Sequence, residues 1–106
     1  MQYGEFTATR FQKTTVNCVS NSWTLLAGTT ALGNRTGTEL YVKAQTAIAK
    51  LYITYSYTDT APSDAVEDCV ALETGAFHFV PNGPGLYLWG RTSSGRGKVI
   101  ATEFGT

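Results

Sequence analysis

The chain has 106 residues, 42% of them hydrophobic and 15% charged, with eight basic side chains against eight acidic ones. That length suits one domain with one core, and the apolar fraction argues against disorder. The cancelled charge leaves no bulk field to draw in nucleic acid or an anionic membrane, and it favours contact with other proteins, further copies of the chain included.

Aromatic residues make up 12% of the chain, Thr and Gly are frequent, and Lys and Glu are sparse, which is a β composition. The apolar runs fall well short of the roughly 20 residues needed to cross a bilayer. Met1 to Glu5 lacks the basic and apolar regions of a secretory signal, so the reading is a protein made and kept in a cytosol.

In chain order, Phe6 to Phe11 alternates weakly and Thr14 to Ser20 carries β-branched residues around Cys18. Both read as short strands or as an extended N-terminal arm within residues 1–20. Trp23 to Ala27 predicts a strand, and the turn-rich stretch from Gly28 to Gly37 a loop. From Glu39 the alternation sharpens: Leu40, Val42 and Ala44 share one face, Glu39, Tyr41 and Lys43 the other. The clearest strand follows, with Ala49, Leu51, Ile53, Tyr55 and Tyr57 opposite Lys50, Tyr52, Thr54 and Ser56.

Ala61 to Thr74 is ambiguous, and a turn of helix is one reading of it, because Asp64 and Glu67 have capping-box spacing and Val66, Cys69 and Val70 have helical spacing. Phe77 and Phe79 then alternate with Ala76, His78 and Val80, and this places His78 on the face opposite the two rings, in solvent or at a contact surface. Pro81 to Gly85 must form a loop. Leu86 and Leu88 alternate with Tyr87 and Trp89. After the turn at Ser93 to Gly97, Val99, Ala101 and Glu103 alternate with Ile100, Thr102 and Phe104, which predicts a C-terminal β-hairpin. The expectation is one all-β domain over residues 1–106, an antiparallel β-sandwich or jelly-roll-like barrel of seven to eight short strands.

Chemistry is thinly supplied. The chain has one histidine, His78, and no nucleophile elbow, so no catalytic residue is assigned. Cys18 and Cys69 lie about fifty residues apart without zinc or redox spacing and read as reduced thiols. The scattered carboxylates, Glu103 among them, read as solvated. Asp64, Glu67 and Asp68 lack the alternating pattern and glycine of a calcium loop, so no metal or other cofactor is assigned. Gly95-Arg96-Gly97-Lys98 reads as a hairpin tip rather than a phosphate cradle; its charges, with Arg91, suit an acidic partner surface. Asn34-Arg35-Thr36 matches a glycosylation acceptor, idle without secretion. Tyr52, Tyr87 and Trp89 fall opposite the Leu-bearing faces of their strands. They are either contact rings for protein or sugar, or rings buried in part by a twisted sandwich.

The Trp23-Thr24-Leu25-Leu26 run, Asn34-Arg35, the strand Leu40-Tyr41-Val42, and Val70 to Gly75 leading into Phe77-His78-Phe79 form an ordered series. With Leu86 to Gly90 and Val99 to Glu103, that series resembles small tailed-bacteriophage virion proteins across residues 22–104. The resemblance implies a β-sandwich virion component without enzymatic activity. Foremost is a capsid decoration (cement) protein that binds the major capsid protein and stabilises the outer shell. The alternative is a tail, neck or fibre component, including a carbohydrate- or receptor-binding module. Tyr3, Phe6 and Phe11 of the N-terminal arm, the rings Tyr52, Tyr87 and Trp89, and the cations Arg91 and Arg96 are the expected contact residues. A homo-oligomer is expected, made in the host cytoplasm and located in the virion.

Overall fold

The computed structural model describes residues 10–28, 35–43, 50–75 and 77–106. Eight strands run in the order β1 (Arg10–Cys18), β2 (Thr24–Ala27), β3 (Arg35–Val42), β4 (Lys50–Ser56), β5 (Val70–Glu73), β6 (Phe77–Pro81), β7 (Tyr87–Thr92) and β8 (Gly97–Gly105). They form two four-stranded antiparallel sheets, β1-β8-β3-β6 (sheet A) and β2-β7-β4-β5 (sheet B). First pairs with last, second with seventh, third with sixth and fourth with fifth, as if one long hairpin had been rolled up. That is the order of a jelly roll.

Alternation supplies the core. Leu40, Val42, Val80, Val99 and Ala101 turn inward from sheet A and meet Leu26, Leu51, Ile53, Leu72 and Leu88 of sheet B, with Cys18 between them. Gly90 lies where the sheets approach: a Cβ there would stand 2.8 Å from Leu26 Cδ1 and 3.3 Å from Cys18 Sγ. Only glycine gives this central strand room to pass. Burial pushes the Cys18 thiol up to about 12, so it stays protonated and inert at neutral pH. Cys18 and Cys69 are both free, the first buried and the second half-buried.

Three expectations are corrected, and the turn of helix that the sequence left open between Ala61 and Thr74 is present. Residues 10–18, read as part of two short strands or an arm, form one nine-residue strand paired along its whole length with β8 at the edge of sheet A. The predicted C-terminal hairpin is absent, because β7 belongs to sheet B and β8 to sheet A. The turn between them, closed by Thr92 Oγ1 donating to the Gly95 carbonyl at 2.6 Å with Gly95 at φ 62°, carries the chain across the sandwich. The loop predicted from Gly28 ends early, since β3 begins at Arg35. Between Ala61 and Thr74 stand one 3-10 turn, Val66–Asp68, and then β5. Ala65 occupies the cap position with no side-chain cap, and the Asp64 carboxylate accepts from the Thr54 hydroxyl instead.

A buried ion pair joins the two halves of sheet A. The register of β3 against β8 shifts between Arg35 and Gly37. Thr36, which strict alternation would turn inward, is exposed, and Arg35 turns inward in its place. Its Nε donates to Glu103 Oε2 at 2.6 Å, with the two side chains only 3% and 2% exposed. Beside them Asn82 Nδ2 donates to Thr38 Oγ1 at 3.1 Å, both residues buried. Glu103 is therefore a core residue and not the solvated carboxylate expected from the sequence.

Candidate functional site

The outer face of sheet A carries a patch of aromatic side chains. The register of β1, β8, β3 and β6 sets neighbouring residues in three rows: Phe11, Phe104, Gly37 and Pro81; Lys13, Thr102, Glu39 and Phe79; Thr15, Ile100, Tyr41 and Phe77. Their inward neighbours Val99, Ala101, Leu40 and Val80 are buried, so all three rows point away from the core.

Phe11, Phe77 and Phe79 are 67%, 68% and 49% exposed, while Phe104, Tyr41 and Ile100 are half-buried among them. The rings are linked across strands. Phe77 and Tyr41 have centroids 4.7 Å apart, and Phe104 lies 6.5 Å from both Phe11 and Phe79. Gly37 explains how Phe79 reaches Phe104, because a Cβ there would fall 2.2 Å from Phe79 Cζ. The ring lies on the bare glycine backbone. At roughly 200 Å² per aromatic side chain, the three most exposed rings leave on the order of 350 Å² of apolar surface in water, the size of the largest patch on a typical monomer, which is often functional.

This inverts the reading of β6. The two phenylalanines face outward, and Val80 faces the core. His78 is half-buried on the inward side, in register with Leu40, and its Nε2 lies 3.0 Å from the Glu73 carbonyl. It lies opposite the two rings, as the alternation places it, and is half-buried rather than fully in solvent.

Of the expected contact residues, Phe11 belongs to the sheet A patch, and Tyr3 and Phe6 lie outside the described residues. Tyr52, Tyr87, Trp89 and Arg91 share the outer face of sheet B, where Tyr52 pairs with Arg91, Ser56 with Tyr87 and Thr54 with Trp89. Trp89 is not a surface ring: it is 6% exposed and donates its Nε1–H to Ser56 Oγ at 2.8 Å. The connection from Tyr57 to Cys69 returns across this face, with Asp64 accepting from Thr54, the partner of Trp89, and through its carbonyl from Trp23 Nε1 at 3.2 Å. Tyr52 and Tyr87 are half-buried, and Arg96 is exposed in the turn between β7 and β8.

Among the described residues, no three His, Cys, Asp or Glu side chains are placed to hold a metal ion. No helix of the described residues is long and apolar enough to cross a membrane. No protein-family model, curated protein or solved structure matches the chain.

Proposed function

We propose that this chain is a non-catalytic structural protein of a bacteriophage virion, a decoration protein that attaches to the outer capsid through the aromatic face of sheet A. The observation that carries the reading is that face. Aromatic residues from all four strands lie on one side of a sheet, in the ring-contact groups Phe11–Phe104–Phe79 and Tyr41–Phe77, with Phe11, Phe77 and Phe79 exposed. Isolated rings are ordinary on a surface; a contiguous, preordered cluster is what the centre of a protein interface needs. Its apolar extent, together with the polar rows around it, suits the roughly 800 Å² per partner of a standard interface.

The viral setting rests on the likeness to small virion proteins and on the jelly roll, an architecture used by viral capsid and lectin domains, which is a fold-level analogy. A protein that binds the assembled shell but not its dissociated subunits stabilises the shell by mass action, by about 2.7 kcal/mol per site at a hundredfold excess over Kd. Such work needs complementarity and copy number, and it needs no reacting group.

The test is sedimentation of the purified chain with phage heads stripped of their minor proteins. Saturable co-pelleting, at a copy number matching the local symmetry positions of the shell, is the expected result. Absence of binding to heads, with binding to tails or fibres, would move the protein to those structures.

A further inference from the structure

A cleft of about 250 Å³ opens on the side of the molecule away from the aromatic face, where the Tyr57–Cys69 connection passes Trp23 and the outer face of β7. One wall is Arg91. Its Nε donates to the Ser20 carbonyl at 2.8 Å, and its guanidinium carbon sits 6.0 Å from the centroid of the Trp23 ring. The side chain is therefore held in place, while its two Nη groups make no further hydrogen bond or ion pair with the described residues. Asp64 lines the same cleft, fixed twice, by Thr54 at its Oδ2 and by Trp23 at its carbonyl. Its other carboxylate oxygen is left to accept. Ser22 and Ser63 also line the cleft, and Pro62 and Trp23 supply apolar surface.

We propose that this cleft binds an acidic sugar, its carboxylate on the Arg91 guanidinium and its ring hydroxyls on Asp64, Ser22 and Ser63. The donor set decides the class. A planar fork pinned at Nε presents paired Nη–H groups to a carboxylate, and the Asp64 carboxylate lining the same cleft disfavours a second anion but accepts hydroxyl donors. The volume lies just below the range of drug-sized pockets, which suits one sugar ring, and the apolar surface suits its C–H groups. The site is independent of the aromatic face: a chain seated on a shell by sheet A would present this cleft outward.

The probe is sodium D-glucuronate, titrated into the ¹⁵N-labelled full chain and followed by amide and indole N–H shifts, with D-glucose and sodium acetate as controls. Saturable shifts at Ser22, the Trp23 indole, Ser63 and Asp64 are expected, with glucuronate binding at least about fivefold more tightly than either control, the effect of one or two added hydrogen bonds. Arg91→Met keeps the apolar stem over Trp23 and removes the fork. It should weaken binding at least about tenfold, as loss of a charged hydrogen-bonded contact does. If that variant fails to fold, Ser22→Ala with Ser63→Ala, both at exposed positions, decides the matter by an expected loss of about two- to tenfold. No saturable shift, acetate binding as tightly as glucuronate, or unchanged affinity in these variants would overturn the proposal.

Discussion

Replacing Glu103 with alanine is expected to cost about 3–5 kcal/mol, a large share of the 5–15 kcal/mol that holds a domain of this size together. The reason is location. The Arg35–Glu103 pair lies at 2.6 Å with both side chains almost wholly buried, on the inward face of sheet A next to Thr38 and Asn82. Removing the carboxylate takes from the guanidinium, which stays in the core, the anion that its Nε contacts at 2.6 Å. Replacing both partners with apolar residues, Arg35→Met with Glu103→Leu, removes the charge as well as the pair. It should recover most of the loss, as apolar replacements of buried pairs do elsewhere. Urea denaturation of Arg35→Met, Glu103→Leu and the double variant gives the cycle directly, with Glu103→Ala measured beside them. A loss below about 1 kcal/mol in Glu103→Ala, the level of a surface pair, would mean that Arg35 escapes to water and that the pair does not hold this end of the sandwich together.

Replacing Phe77 and Phe79 together with serine should weaken binding to the partner shell by at least about a hundredfold while leaving the fold intact. Buried aromatic anchors contribute 2 kcal/mol or more each when truncated, and 1.4 kcal/mol is a factor of ten. The cost to the free chain is small, because both rings stand in water on the outside of an edge strand. The chain loses the Phe77–Tyr41 and Phe79–Phe104 contacts and the seat on Gly37, about 0.5–1.5 kcal/mol for each aromatic pair. Tyr52→Ser with Tyr87→Ser, on the opposite sheet, is the control and should change binding less than about threefold, within the range of near-neutral contacts. Equal losses from the two pairs, measured by quantitative co-pelleting, would assign the binding surface wrongly.

The strands themselves were legible. β4 and β8 alternate cleanly, and the phase of Leu51 with Ile53 and of Val99 with Ala101 is that of the core. Which face of a strand turns inward was not always legible, because a period of two defines two faces without orienting them. In β6 the aromatic side is the more apolar, and it points outward. Gly37, two strand positions before Glu39 in β3, is what lets Phe79 lie flat there, and that pairing exists only once β3 and β6 are in register.

For Trp89 the alternation gave the right face and left contact ring and buried ring both open, since the Tyr57–Cys69 connection that returns across that sheet has no periodicity to read. The β7–β8 turn has hairpin composition, yet it joins two sheets, and turn chemistry does not say which sheet the next strand joins. The ion pair was hidden for a related reason. Arg35 reaches Glu103 through a register shift in a stretch whose composition reads as loop.

The most direct test of the central claim is a cryo-electron microscopy reconstruction of stripped phage heads saturated with the purified chain. The account predicts a sandwich seated with β1, β8, β3 and β6 against the shell, Phe11, Phe77, Phe79 and Phe104 in the contact, and the Tyr57–Cys69 connection facing solvent. Density placing sheet B or that connection on the shell, with the aromatic face left in water, would contradict it.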